Sequence, residues 1–443
     1  MRHSNILRVS LLSALCLTAL SSGASAASFY LQEQSVSGLG TAFAGAAADT
    51  PDASTVFYNP AGIVNLRRPE VLVGGSLLLP RADFDDTGST YTSPAALGGA
   101  TGAVAGDDSG NPFDPEIVPH LYGVMPLNER LAVGLGISAP FGLADKYDSD
   151  FTGRYNSTDS QLKTIDIQPT IGANVLPWLN IGGGVNIQYV YANLKNKVPA
   201  PTIGGANDPA NDGSVKLAGD DWSVGYNIGL QFLPTDMTKI GLTYRSSINH
   251  RLEGDIDVLN PTSPLPIPGF VSGAELTGSG SAKLSTPDIA SLAISQQVDE
   301  KWTLLGSVNW YGWSKFDNIP VTSATFGNSQ TEQSYENTWG LALGARYRMN
   351  DQWLLKGGIQ FDQTPTVNFD RSTRIPDGNR FWVAAGATYS FTPDIDLDLA
   401  AAFVNVSEEK IEVTDTYDSG TVVTRGDSDG SVGILGASLK YKF

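Results

Sequence analysis

The sequence predicts an all-β transmembrane barrel of about 14 antiparallel strands, with a small N-terminal helical segment plugging the lumen. Three observations support this fold class. The chain closes on a strand of alternating apolar and small or polar residues, from Ser431 to Phe443. It opens with an export-type leader although no run is apolar enough for a helical span. The connections between its predicted strands alternate between short and long. Membrane barrels of tilted, alternating strands share these features.

The first predicted element is a cleavable leader. Arg2 and Arg8 flank the start of a short apolar stretch, and residues 24–26 read Ala-Ser-Ala, which is typical of a cleavage site. We therefore expect residues 1–26 to be a signal peptide. The only cysteine, Cys16, would be removed with it, so no disulfide and no cysteine-based metal site is expected in the mature chain.

Composition narrows the class of protein further. The net charge is −18, and it becomes −20 when the leader with its two arginines is removed, because the leader contains no acidic residue. Nucleic acid is therefore not expected as a partner. Charged residues make up 17% of the chain, below the 25% or so of soluble domains, and glycine is abundant, at 48 of 443 residues. Alternating strands explain this composition, because they hide an apolar face from any average along the sequence.

Residues 27–68 form the second predicted unit. They do not alternate, they are rich in small residues between Gly38 and Ala48, and Thr50, Pro51 and Asp52 are typical of a helix start. Such a segment is too apolar for a free tail and too irregular for a strand. We expect it to fold inside the lumen as a plug, or hatch.

The barrel itself is predicted over residues 69–443. The alternation is clear in the sixth strand, where Trp222, Val224 and Tyr226 are separated by Ser223 and Gly225. The fourteen predicted strands span roughly 70–80, 118–125, 131–139, 164–175, 180–193, 222–232, 239–252, 288–296, 302–313, 338–349, 353–361, 381–391, 395–406 and 431–443.

The predicted connections give an orientation. The short ones are 126–130, 176–179, 233–238, 297–301, 350–352 and 392–394, and the long ones are 81–117, 140–163, 194–221, 253–287, 314–337, 362–380 and 407–430. Bacterial barrels place short turns in the periplasm and long loops outside the cell. We therefore expect a monomer in the bacterial outer membrane, with both termini periplasmic and with lipid and lipopolysaccharide around the wall.

A family resemblance appears within the predicted hatch. The stretch SVSGLGTAFAG, from Ser35 to Gly45, is followed by YNPAG from Tyr58 to Gly62. This pattern resembles the hatch of the FadL family, outer-membrane transporters of long-chain fatty acids with relatives that take up aromatic hydrocarbons. The resemblance implies passive uptake without a cofactor. A hydrophobic ligand would be caught by extracellular loops, pass to a lumenal site above the hatch, and leave sideways at a kinked third strand.

The resemblance suggests ligand-binding residues in two places, the start of the hatch and two of the long loops. Phe29, Tyr30 and Leu31 would form the mobile apolar end of the hatch, or simply anchor it. Apolar residues of the third and fourth long loops would bind the ligand first, or would pack together to cap the barrel. These loop candidates are Val198, Ile203, Leu265, Ile267 and Phe270.

A lateral opening is expected at the third strand. Gly134 and Gly136 lie on its inward face, and glycine in a strand often marks a bulge. Asn59, Pro60 and Ala61 would face this kink, with Asn59 bonding backbone groups that a broken ladder leaves unpaired. The alternative is a helix end followed by a turn.

A fatty-acid carboxylate would need a cation in the lumen. The candidates are Lys195, Lys197, Arg245, Arg346 and Lys356, although lumenal cations also form structural ion pairs and a hydrocarbon ligand would need none. Catalysis is not expected, because only His120 and His250 follow the leader and no catalytic arrangement accompanies them. Uptake of alkanes or monoaromatic hydrocarbons is the first alternative. A general diffusion porin is the second, and the plug and the apolar loops oppose it.

Overall fold

The structure, a computed structural model, describes residues 28–205, 207–263, 271–368 and 370–443. The predicted signal peptide lies outside these residues. The described chain forms a closed antiparallel barrel of fourteen strands, as predicted. These strands, β1 to β14, are Glu70–Asp86, Glu116–Asn128, Leu131–Ser138 continued by Gly142–Lys146, Asp159–Leu176, Leu179–Val198, Gly213–Thr235, Thr238–Arg245 continued by Asn249–Leu259, Glu275–Ser285 continued by Asp288–Gln297, Trp302–Gly312, Thr338–Arg348, Trp353–Asp362, Arg380–Thr392, Ile395–Tyr417 and Gly420–Lys442.

Closure depends on the first and last strands. β1 pairs with β14 along its whole length, from Glu70 opposite Lys442 to Asp86 opposite Gly426. On its other side β1 pairs with β2, so each strand of the wall has a neighbour on both sides. Among the described strands the sheet closes on itself without a free edge, which a membrane barrel requires.

The remaining elements are short. Two helices precede the barrel, α1 at Val36–Leu39 and α2 at Thr55–Tyr58, and no helix in the described ranges is long and apolar enough to cross a membrane. Short 3₁₀ helices occur at Pro60–Asn65, Ala95–Leu97, Pro209–Asn211 and Trp313–Lys315. Short loop strands occur at Thr90–Thr92, Thr101–Ala103, Asn318–Ser323 and Gly327–Glu332.

Several strands continue beyond their predicted ends, on the side of the long connections. The predicted loop 407–430 is wrong, because β13 and β14 run through it as a hairpin that turns at residues 418–419. Ile411 and Val422 are buried there while acidic residues such as Glu408 and Asp429 face outward. The outward face of a strand that leaves the membrane meets water, so its acids do not mark a loop.

The outer face of the wall is apolar. Large side chains such as Ile171, Val224, Leu343 and Phe403 are exposed on it. Exposed apolar surface of this extent is unfavourable in water and favourable against lipid. Near the short turns, Trp302 packs on Tyr347, Trp353 on Tyr389 and Tyr441 on Phe443, each pair with ring centroids 4.7 Å apart, which is how an interfacial girdle is built.

The N-terminal segment, residues 28–69, packs against the inner face of the barrel as far as Val64, and most of its last residues are exposed. Most of its residues from Ser28 to Ala48 are buried. Inward-facing glycines of the wall let its backbone come close, because a Cβ atom added at Gly182, Gly241 or Gly358 would overlap the segment's backbone. Ion pairs of Asp49 with Arg346 and Lys239 attach it to β10 and β7. Whether it moves as a hatch is a matter for the proposal below.

Candidate functional site

The wall is interrupted between β2 and β3. The ladder between these strands stops at Leu121 opposite Ile137, and β3 resumes at Gly142 paired with β4. Residues 139–141 belong to no strand. Pro140 lies in the middle of this stretch, where its missing N–H and fixed φ are incompatible with a regular ladder.

Gly134 and Gly136 are not the point of interruption. Both lie in regular ladders, Gly134 between Val124 and Thr170 and Gly136 between Tyr122 and Gln168. The third strand is thus interrupted at residues 139–141 and not at the two glycines, and the lateral opening stays a prediction. The two glycines instead make room for the side chain of Val56 in α2, since a Cβ added at Gly134 would lie 2.7 Å from Val56 Cγ2.

The N-terminal segment satisfies the backbone groups of the interruption. The segment runs alongside residues 139–142 like a short additional strand. Four hydrogen bonds join them: Leu31 N to Pro140 O (2.8 Å), Gly142 N to Phe29 O (2.9 Å), Gln34 Nε2 to Ala139 O (2.8 Å) and Ala139 N to Gln34 Oε1 (3.1 Å). Residues 29–34 therefore close the gap in the wall.

Asn59, Pro60 and Ala61 lie elsewhere, against β5 and β6. Asn59 Nδ2 donates to Ala47 O (2.5 Å) and Leu230 O (3.1 Å), and Asn59 Oδ1 accepts from Ala61 N (3.0 Å). The expectation that this tripeptide faces the kink was wrong. Gly182 and Gly229 open space for it on the opposite strands, which is why it docks there.

An apolar cavity lies in the lumen beside the interruption. Its atom-free space, counted with the part open to solvent, measures about 700 Å³. Residues of β3 to β8 supply most of the lining, and the N-terminal segment and the loops after β9 and β11 supply the rest. Among the lining residues are Phe29, Leu143, Leu162, Leu217, Leu252, Leu284, Phe316, Gln333, Arg374 and Ile375.

Phe29 connects this cavity to the gap in the wall. Its carbonyl accepts the bond from Gly142, while its ring packs on Trp313 (4.8 Å) and Phe316 (5.1 Å). Tyr30, the next residue, packs on Phe141 (5.5 Å), and Leu31 is buried in a neighbouring apolar cluster. A displacement of this short segment would therefore change the cavity and the wall together.

The loop candidates are only partly described. Val198 ends β5, Ile203 is 67% exposed, and neither lines the apolar cavity within the described ranges. Leu265, Ile267 and Phe270 lie outside the described residues. The two loops do meet, because Thr262 N donates to Asn211 O (2.8 Å) and Thr262 Oγ1 to Asn211 Oδ1 (2.9 Å).

Three of the five candidate cations are already paired with acids. Arg245 binds Asp166 (2.9 Å), Arg346 binds Asp49 (3.1 Å) and Lys356 binds Asp398 (2.5 Å). Lys195 and Lys197 lie half-buried at the end of β5. As far as the structure describes the chain, none of the five lines the apolar cavity.

Two cations that the sequence did not single out line the cavity among the described residues, the exposed Lys283 and the more enclosed Arg374. Arg374 is fixed by bonds from Nη1 to Ser160 Oγ (3.0 Å) and from Nη2 to Asn156 O (2.8 Å). The described residues give it no ion pair within 4 Å, and Asp145 and Asp415 act only at longer range. Burial lowers the pKa of the Arg374 guanidinium. An incoming anion would relieve this unpaired, desolvated charge.

Fold and site together define a class: a membrane barrel around an apolar cavity. A sequence model described as "Outer membrane protein transport protein (OMPP1/FadL/TodX)" matches residues 17–443, so the chain belongs to this family. It is therefore an outer-membrane protein of a transport family and not an enzyme. The resemblance stated from the hatch motif is confirmed.

Individual relatives support the assignment over nearly the whole chain. A long-chain fatty acid transport protein of Escherichia coli O157:H7 is 27% identical over 458 residues, 97% of each chain. A Pseudomonas aeruginosa FadL homologue superposes with a TM-score of 0.83 at 25% identity, over 94% of this chain and 100% of that one. The Pseudomonas putida toluene transporter TodX, at 17% identity and a TM-score of 0.68 over 94% and 100% of the two chains, shares the fold.

Proposed function

We propose that this protein carries long-chain fatty acids across the outer membrane without energy input, and releases them sideways between β2 and β3. The observation that supports this is the position of Phe29, which bounds the apolar cavity and hydrogen-bonds the interrupted strand. A ligand that displaces Phe29 from the cavity would loosen the closure of the wall. Release would follow from occupancy alone.

The orientation belongs to the same proposal. Phe443 N donates to Pro69 O (2.9 Å), so the barrel begins and ends beside the short turns. We place this end in the periplasm and the long loops outside, where the adjoining loops 199–212 and 260–263 would meet the ligand first. The unit is a monomer in lipid and lipopolysaccharide, because the barrel closes on itself.

Arg374 favours a fatty acid over a hydrocarbon. Its guanidinium borders an otherwise mostly apolar lining, and a carboxylate there would gain a charge-assisted hydrogen bond worth about 1.5–3 kcal/mol. An alkane or toluene would gain nothing from this residue. The acyl chain would lie against residues such as Leu162 and Leu252, which bury apolar surface of either kind of ligand.

The test is uptake of labelled oleate and toluene by cells that lack their own transporter and express this chain. Saturable oleate uptake that falls about tenfold in Arg374→Met and recovers in Arg374→Lys would support the proposal. Lys195→Met is the matched control, since Lys195 is a cation outside the cavity. Toluene uptake unaffected by any variant, with no uptake of oleate, would favour a hydrocarbon channel. Nonselective permeation of sugars would indicate a porin.

A further inference from the structure

A second cavity lies on the other side of the N-terminal segment. Its atom-free space, including the part open to solvent, measures about 350 Å³. The segment and the strands β6, β7 and β8 line it, with Tyr30, Phe57, Tyr58, Asn227, Arg245 and Ile289 among the lining residues. It shares no described lining residue with the apolar cavity. The consecutive residues Phe29 and Tyr30 line the two cavities separately, so the segment is the partition between them.

Asn227 is the exceptional group in this cavity. It projects inward from β6 and is only 3% exposed. Among the described residues, neither its Nδ2 nor its Oδ1 has a hydrogen-bond partner. A buried amide without partners costs about 1–3 kcal/mol, and buried polar groups are nearly always satisfied by protein or by a bound molecule. Asn227 therefore offers an unused NH2 donor group and an unused acceptor oxygen to an occupant.

The charge in the cavity is already neutralised. Arg245 Nη1 binds Asp166 Oδ2 (2.9 Å), and Arg245 Nη2 donates to Gln168 Oε1 (2.9 Å) and Phe57 O (3.2 Å). The guanidinium also lies 4.3 Å from the centroid of the Phe57 ring. An anionic head would compete with Asp166 for this cation, whereas an uncharged head would leave the pair intact.

The walls complete the description of the occupant. Tyr30, Phe57 and Tyr58 present aromatic rings from the segment, and Ile289 adds an aliphatic surface from β8. Aromatic rings pack favourably on one another at offset or edge-on geometries. The site thus combines an aromatic compartment with an amide that both donates and accepts.

We propose that this cavity is a second ligand site, which binds a small aromatic molecule with an uncharged hydroxyl head through Asn227. The hydroxyl donates to Asn227 Oδ1 and accepts from Asn227 Nδ2, while the ring packs against the segment. This goes beyond the proposed function, because movement of a fatty acid through the apolar cavity does not require it.

The test is calorimetric titration of the purified, folded protein in detergent micelles with phenol, toluene and benzoate. We expect phenol to bind saturably and both toluene and benzoate to bind at least tenfold more weakly. Asn227→Leu, similar in size but without hydrogen-bonding atoms, should weaken phenol binding at least tenfold and bring it to the level of toluene. Gly183→Ala, on the outward side of the neighbouring strand, should change nothing.

A second variant keeps the test decisive if Asn227→Leu does not fold, as judged by heat-dependent migration of the barrel in gels. Thr243→Phe fills the same cavity from β7 and should abolish phenol binding. No saturable phenol binding by the native chain, meaning a cavity for water only, would overturn the proposal. Equal phenol binding by native and variant proteins would also overturn it. Oleate uptake is scored separately, so failure of either proposal is recognised without the other.

Discussion

Two of the irregular places in the described barrel wall are closed in different ways. Between β2 and β3, the backbone of the N-terminal segment and the side chain of Gln34 form hydrogen bonds with residues 139–142. Between β6 and β7, the ladder stops at Asn227 opposite Arg245 and resumes at Asp220 opposite Glu253.

Neighbouring side chains close this second place. Ser246 N donates to Tyr226 O and Tyr226 N to Ser246 Oγ, both at 2.9 Å. Ser223 Oγ donates to Asn249 O (2.9 Å). All these groups belong to the two strands themselves. Only the first closure depends on where the N-terminal segment lies, so only that one should open when the segment moves.

Fixing the segment should have the largest effect. Tyr30 and Phe141 form an isolated antiparallel bridge, and Cβ atoms of such pairs lie close enough for a disulfide. In Tyr30→Cys with Phe141→Cys, oxidation should lower oleate uptake at least tenfold, and reduction should restore it. No native cysteine of the predicted mature chain can form a competing disulfide, because the chain's single cysteine, Cys16, lies in the predicted signal peptide.

The control for this lock is a disulfide in an uninterrupted part of the wall. Val308 and Leu341 are opposite each other in the regular ladder of β9 and β10. Uptake by Val308→Cys with Leu341→Cys should be the same before and after oxidation. If both disulfides lowered uptake equally, passage would not depend on the segment.

Releasing the charged anchor of the segment should have the next largest effect. Asp49 binds Arg346 and Lys239 (2.6 Å), and its replacement by Asn leaves both cations without a carboxylate. We expect a loss of about 3 kcal/mol in attachment of the segment, measured as faster proteolysis of residues 28–66 in a folded barrel. Asp394→Asn, which breaks an exposed pair with Arg68, should have almost no effect.

The same anchor should weaken in acid. Burial opposes ionisation of Asp49, but Arg346 and Lys239 hold its pKa below the usual value. Its stabilisation is therefore fully present above the pKa of an unfolded aspartate, about 3.9, and is lost as the pH falls through the lower folded pKa. Asp49→Asn should remove this part of the acid dependence of proteolysis, and an unchanged profile would contradict the assignment.

A smaller disturbance comes from removing space for the segment. A Cβ at Gly182 would overlap the backbone of Pro60, whereas one at Gly183, on the outward face of the same strand, would lie 3.5 Å from its nearest neighbour. Gly182→Ala should therefore cost about 1–3 kcal/mol of segment packing and raise leakage of small sugars. Gly183→Ala is the matched control, and equal leakage through both variants would show that the segment does not fill the lumen.

The smallest effect concerns Glu33, which is fully buried with both carboxylate oxygens unpartnered among the described residues. Burial raises its pKa to about 7. The pKa of Glu33 is higher in the folded chain than in the unfolded chain. The folded segment is therefore most stable at low pH and loses this stability as the pH rises through 7. Protection of the segment against proteolysis should fall about tenfold between pH 6 and pH 8, and Glu33→Gln should abolish this dependence.

The strand count and order could be predicted from sequence because period-two alternation persists wherever one face meets lipid. Phe29, Tyr30 and Leu31 were singled out instead by the family resemblance, as the apolar start of the hatch after the predicted cleavage site. The hairpin of β13 and β14 was missed because acids such as Glu408 are as compatible with a wet strand face as with a loop. The residue types alone do not distinguish a strand with a water-facing side from a loop.

The site was harder to predict because it depends on contacts across the lumen. Arg374 is one of several loop arginines, and only its bonds to Ser160 and Asn156 direct it into the cavity. Asn59 packs against β5 and β6 because Gly182 and Gly229 leave space there, and these glycines are about 120 and 170 residues away along the chain. No local pattern relates such positions.

The most direct measurement is hydrogen exchange of the backbone amides at the two irregular places, with and without oleate, in a lipid bilayer mimic. We expect faster exchange at Leu31 and Gly142 when oleate is bound, because their bonds to Pro140 O and Phe29 O break as the segment moves. Exchange at Tyr226 and Ser246 should not change. Unaltered exchange at Leu31 and Gly142, or acceleration at Tyr226 and Ser246 instead, would contradict the claim that the N-terminal segment controls the opening of the wall.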